Sequence, residues 1–174
     1  INKARAITVW IAENMAYDYN KKCNMDGSDY DKKNHDVENI LKNREIVCEG
    51  YSTLFKALAD NMTLNAKKVI GFAHKDPTAG HAWNIFEVPN NGWHLVDVTW
   101  FDNTEQPICG MKHKDVNYRK YKIVKEVTDS KNKNKEVSSI YRGEYFMPDP
   151  HIFIEEHFPN NPEYQLINPP IKKE

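Results

Sequence analysis

Apolar residues recur at three- and four-residue steps through Ala4, Ile7, Ile11 and Met15, the period of one helix face. Asn2 is available as an N-cap and the pattern fades near Tyr17 to Asn20, so an amphipathic helix is expected to open the chain. Residues 20–36 are polar, with Gly27, Ser28 and several Asp, Asn and Lys, the composition of an exposed loop past which substrate could travel. A short helical turn over Val37 to Leu41 leads toward Cys48. Beyond it, Tyr51, Leu54, Phe55, Leu58 and Met62 trace a second stripe, which predicts a central buried helix.

The period then changes. Lys67 to Phe72 reads as β structure, and two further strands are joined by the turn residues Pro89, Asn90, Asn91 and Gly92. The aromatic and β-branched run from Trp93 to Trp100 reads as the second of these strands. Lys131 to Glu136, alternating Lys and Asn with one acid, reads as a solvated loop whose charge needs no functional role. The last stretch sets Pro148, Pro150, Pro159, Pro162, Pro169 and Pro170 among apolar residues, which suits an extended segment wrapped over the domain. Helix followed by antiparallel sheet makes the class α+β.

Length limits the organisation. A chain of 174 residues with 40% hydrophobic content buries one good core but not two, so residues 1–174 are read as a single domain. A net charge of -1 removes the electrostatic case for nucleic acid or an anionic membrane as partner. No apolar run approaches the roughly 20 residues of a spanning helix, so membrane insertion is not expected. The start at Ile1 points to a piece of a longer chain. Cys23, Cys48 and Cys109 are too few for a disulfide framework and lack a CxxC zinc pair. Cys23 and Cys109 are either bridged or two free thiols.

Three residues carry candidate chemistry. Cys48 opens the central helix in Val47-Cys48-Glu49-Gly50, where unpaired backbone N–H groups and the helix dipole favour a thiolate. Ordinary burial is the commoner fate of a single cysteine, so Cys48 needs a base. His81, in Gly80-His81-Ala82-Trp83, would supply it, an imidazole within reach of sulfur being able to take its proton. Asp97 is an acid in an aromatic strand, a costly placement unless paired, and a hydrogen bond to one imidazole nitrogen would fix the ring toward sulfur. With a loop of Pro89, Asn90 and Asn91, Trp83 lies opposite Asp97 and His81 becomes its diagonal neighbour. A one-residue slip would separate them.

The runs CEGYSTLF, GHAWNIF and WHLVDVTW, in this order, resemble the Cys, His and Asp motifs of the transglutaminase-like superfamily. The tail His157-Phe158-Pro159 with Tyr164-Gln165-Leu166 is similar to that of its kyphoscoliosis-peptidase type. The resemblance implies a papain-like, transglutaminase-core fold, in which the Cys helix packs on an antiparallel sheet carrying His and Asp. It implies acyl transfer through a thioester, with Cys48 as nucleophile, His81 as general base and acid, and Asp97 as orienting acid. It implies no cofactor and a protein or peptide substrate. Ile46 stands where the pattern usually has glycine, and Val98 where proline often follows the acid; both bear on the loop beside the nucleophile. The backbone N–H of Cys48 is one natural oxyanion donor.

Trp83, Trp100 and Tyr51 are the candidates to contact substrate, with core packing as the alternative. His94 falls on the strand face away from Asp97. His151 and His157, beside Glu155 and Glu156, could suggest a metal, but a folding contact is expected and no metal site is assigned. The products could be those of a peptidase, a deamidase or a crosslinking transglutaminase, and a non-catalytic binding module on the same fold is the competing reading. A bacterial source would favour a secreted or surface protein, a eukaryotic one a cytoskeletal setting.

Overall fold

A computed structural model describes residues 1–18, 35–102 and 141–172. The expected loop over residues 20–36 falls largely outside this range. Cys23, Cys109 and the Lys131 to Glu136 segment lie wholly outside it.

Helix α1 spans Asn2–Asn14 and buries Ala4, Ile7, Thr8, Ile11 and Ala12, the stripe that the spacing predicts. Its ends differ from expectation. Ile1 occupies the N-cap without a side-chain bond and Asn2 is already helical. At the other end Met15 turns extended, because residues 16 and 17 pair instead with a neighbour. That pair is β1 (Ala16–Tyr17) alongside β2 (Glu45–Ile46), in parallel. Between them α2 (Val37–Asn43) starts where the Asp36 carboxylate accepts from the Asn39 N–H at 3.2 Å, an ordinary N-cap.

Helix α3, Cys48–Asn61, is the central element and buries Gly50, Tyr51, Ser52, Leu54, Phe55 and Ala59. Each fully buried large side chain of this stripe contributes about 1.5–3 kcal/mol. The helix lies on a four-stranded sheet of order β5-β4-β3-β6, built from β3 (Ala66–Ala73), β4 (Gly80–Val88), β5 (Gly92–Val96) and β6 (His157–Pro159). All its pairings are antiparallel. The Asn84 side-chain N–H donates to the Ser52 carbonyl at 3.0 Å, and Phe86 packs on Phe55 with ring centres 6.3 Å apart. Glu49 in the first turn of the helix pairs with Lys68 of β3.

Register decides which side chains meet. Directly opposed residues share a face, and His81 opposes Gly71, Trp83 opposes Val69, and Ala73 opposes His157. His81, Trp83 and His157 therefore belong to one face of the sheet. Across β4 and β5 the pairing of Asn84 with Val96 puts Asp97 next in line opposite Trp83, as the three-residue loop requires. The strand does not continue to Trp100, however. It ends at Val96, and a short helix α4 (Val98–Phe101) follows, with the Asp97 carboxylate accepting from the Trp100 N–H at 3.2 Å. A carboxylate with one oxygen facing the open N–H groups of a first helical turn favours a cap over further strand.

The proline-rich tail is only partly extended. It forms a 3-10 turn at Gly143–Tyr145, a short helix α5 (Pro150–Phe153) capped by Asp149, strand β6, and a second 3-10 turn at Pro162–Gln165. Gly71 is what lets β6 dock on β3. A Cβ there would lie 2.1 Å from the Phe158 carbonyl oxygen and 2.7 Å from both Pro159 Cα and the Trp83 ring. Two of those neighbours are backbone and do not yield. Gly71→Ala is expected to cost about 3 kcal/mol, read as a lower urea midpoint, and to release the segment bearing His157. A parent-like midpoint would contradict it.

Candidate active site

Cys48 is the first residue of α3, partly exposed, with Val47 as N-cap. The placement follows from sequence: Gly50 and Tyr51 are buried one turn in and both donate backbone N–H groups to the Val47 carbonyl. His81 is the second residue of β4 and is buried. The Cys48 side chain is near enough to this ring to act on its charge, and the ring's Nε2 lies 2.7 Å from Asp97 Oδ2. With Nε2 committed to the acid, Nδ1 is the nitrogen left for sulfur. Asp97 has no exposed surface.

Electrostatics follow from this burial. Desolvation pushes the His81 imidazole down, but the charge and hydrogen bond of Asp97, together with the Cys48 sulfur, outweigh it and raise its pKa from 6.5 to about 10. Asp97 is pushed up by burial and down further by the His81 charge and by hydrogen bonds from His157 and His81, so it stays a carboxylate well below the usual range. The pair is thus an imidazolium and a carboxylate at neutral pH.

A folding contact is what the sequence leads one to expect of His157; the structure sets it against Asp97. Its Nε2 lies 2.8 Å from the same Asp97 Oδ2, and 1% of the residue is exposed. The available signal was the His-Phe-Pro run itself, apolar and short enough for an edge strand, but nothing local states its register. His151, by contrast, is exposed on α5, and Glu156 accepts from the Tyr145 hydroxyl at 2.8 Å.

Ligand-type atoms of His81, Asp97 and His157 lie within 4.8 Å of one another, the one such group among the described residues. Donors sharing a tetrahedral zinc ion stand about 3.3 Å apart when each bond is about 2.05 Å. The contacts of 2.7 and 2.8 Å are instead those of two imidazole N–H groups donating to one carboxylate oxygen. His81, Asp97 and His157 thus form a hydrogen-bonded unit, with the His157 Nδ1 left over.

The three candidate substrate contacts separate. Tyr51 is buried, stacks on Tyr17 and donates its hydroxyl to Asp102 at 2.8 Å, so it is core. Trp83 is buried behind His81, edge-on to Phe153 and His157. Both depart from the expected role because the bulk that made them candidates is spent on packing. Trp100 is partly exposed and stands against His81 and His157, at 5.2 and 4.4 Å between ring centres, with His74 stacked outside it at 5.1 Å. It screens the imidazolium from water. His94 packs on Phe86, away from the cluster.

The segment that carries Cys48, His81 and Asp97 also has a family match. The sequence model of the transglutaminase-like superfamily fits residues 1–98, from the first helix through Asp97. The chain belongs to the transglutaminase-like superfamily. Its fold is the α+β arrangement of that superfamily, with the cysteine helix on an antiparallel sheet. This superfamily member is 26% identical to mouse kyphoscoliosis peptidase and 27% identical to the human protein, each over 179 residues. It is 26% identical to hillarin of Drosophila melanogaster over 181 residues. The alignments cover 98% of this chain but 22%, 22% and 19% of those proteins, so the chain spans about a fifth of their length. Among solved structures, a TGase is 22% identical with a TM-score of 0.47, covering 64% of this chain and 30% of its own. A protein from Cytophaga hutchinsonii, provisionally termed a cysteine protease, is 24% identical with a TM-score of 0.44, covering 57% and 32%. No described helix of the superfamily member is long and apolar enough to cross a membrane.

Proposed function

We propose that this chain catalyses cysteine-dependent acyl transfer at amide bonds of a protein or peptide. The observation carrying this is a helix-start cysteine, Cys48, beside an imidazole whose Nε2 is held by a buried carboxylate. In the first half-reaction the Cys48 sulfur forms a bond to the amide carbonyl carbon. The C–N bond breaks, and the His81 imidazolium gives its proton to the departing amine. The backbone N–H of Cys48, at the start of α3, is one donor for the developing oxyanion. In the second, His81 takes a proton from water or an incoming amine, which attacks the thioester carbon, and the C–S bond breaks. Water makes the reaction hydrolysis; a lysine amine makes it crosslinking. Asp97 acts through His81 by fixing its ring and stabilising its charge. The chain is read as one domain over residues 1–174, with Trp100 the side chain placed to contact substrate.

Labelling Cys48 with iodoacetamide, located by peptide mapping, tests the reading. The parent is expected to react at a nearly constant rate from about pH 6 to about pH 8. In His81→Ala the rate should climb about tenfold per pH unit over that range, as for an ordinary thiol. Casein with and without an amine donor then separates hydrolysis from transamidation. A parent profile that climbs like that of His81→Ala, with no turnover of either substrate, would move the chain to the binding-module reading.

A further inference from the structure

We propose that His157 is a fourth member of this site, a positioning residue that donates its Nε2 proton to Asp97 Oδ2 and holds the carboxylate toward His81. The inference rests on the acyl-transfer reading and extends the site beyond the superfamily match, which ends at residue 98. The imidazole is boxed: Phe153 stacks on it at 3.8 Å and 13°, and Trp100 meets it edge-on at 4.4 Å. One nitrogen reaches Asp97 at 2.8 Å; the other, Nδ1, is buried with no partner among the described residues.

Packing alone does not account for an imidazole here. A phenylalanine would fill the same slot between Phe153 and Trp100 without burying an unpaired nitrogen. What the histidine adds is one N–H aimed at a carboxylate. A neutral ring has a single N–H, and an unpartnered Nδ1 is the deprotonated nitrogen, so the proton sits on Nε2. Burial, the leading cause, keeps this ring below the usual histidine range, in agreement. The carboxylate's other oxygen is weakly held: Oδ1 accepts from the Trp100 N–H at a long 3.2 Å. Two donors converging on Oδ2 from opposite elements, β4 and β6, fix its rotation where the Trp100 contact alone would not. A neutral donor does so without adding a second positive charge beside His81.

The full chain is compared with His157→Phe and His157→Gln, whose amide nitrogen reproduces the Nε2 donor, and with His81→Ala. At about pH 6.5, His157→Phe should slow Cys48 alkylation about tenfold, and His157→Gln should stay within about threefold of the parent, with little change in thermal midpoint for either. Equal slowing by Phe and Gln would overturn the proposal, because then ring shape rather than the donated proton matters. A parent-like His157→Phe alongside a slow His81→Ala overturns it while leaving acyl transfer intact. A His81→Ala protein that alkylates like the parent removes the acyl-transfer reading itself. Nitrogen NMR of the parent's histidine rings needs no variant: at about pH 7.5 His157 should be protonated at Nε2 and not at Nδ1. The reverse tautomer overturns the proposal.

Discussion

Asp97→Asn is expected to lower acyl transfer about 1,000-fold or more while leaving KM for substrate within about threefold. Three N–H groups, from His81, His157 and Trp100, converge on this carboxylate, which has no exposed surface. An amide of the same shape offers one oxygen and turns the other acceptor into a donor. If the amide oxygen faces the two imidazoles, its NH2 opposes the Trp100 N–H and the α4 cap is lost. If it faces Trp100, the NH2 opposes both rings and drives His81 to its other tautomer, so that Nδ1 carries a proton in place of a lone pair for sulfur. In either orientation the negative charge that raises the His81 pKa to about 10 is gone. The loss therefore falls on the chemical step. Stability should drop by about 3–5 kcal/mol as well, the range for breaking a buried pair. Steady-state kinetics on an amide substrate, with urea unfolding alongside, checks both; a variant with parent kcat would remove Asp97 from the mechanism.

Much of this site was legible before the fold was known, for local reasons. The stripe through Tyr51, Leu54 and Phe55 fixes α3, so Cys48 at its first turn follows from periodicity. A three-residue loop between β4 and β5 sets the register, and register places Asp97 beside His81 with no tertiary information. An acid among Trp93, Leu95, Val98 and Trp100 announces a partner, because burying it alone would be too costly. Asp97 read as mid-strand because the β-branched residues after it have strand propensity; its own capping bond to Trp100 overrides that.

The rest was hidden because it is non-local. His157 pairs through β6 with β3, across more than eighty residues, and no loop length fixes that register. Gly71 looked like an ordinary strand residue until the Phe158 carbonyl was found against it. Trp83 and Tyr51 advertised a cleft by their bulk, yet bulk does not say which face of the site a ring occupies. The residues that hold the site from behind were thus the ones that periodicity could not assign.

In a Cys48→Ala background, the stability that Asp97 confers should shrink as pH rises above about 6.5, falling by about 1.4 kcal/mol per pH unit up to a limit below the parent's, because the sulfur's share of the His81 shift is gone. Removing the sulfur matters, since a proton that merely moves from thiol to imidazole would leave no net difference between folded and unfolded chains. The sign follows from each group. Without the sulfur Asp97 still raises the His81 pKa on folding, so the His81 contribution is whole below the unfolded value of about 6.5 and is lost as pH climbs through the folded one. The Asp97 pKa is depressed on folding, so its contribution is present above about pH 3.9 and is lost as pH falls toward its folded value. The two act as a pair and count once. Full strength therefore lies between about pH 4 and about pH 6.5, with the alkaline limb the longer. Urea unfolding of Cys48→Ala and Cys48→Ala/Asp97→Asn at about pH 5.5, 7 and 9 reads the difference directly. A gap that narrows by several kcal/mol at pH 9 means that a charged His81 is what Asp97 stabilises; a constant gap means that Asp97 contributes through its cap and packing, and the imidazolium would have to be abandoned.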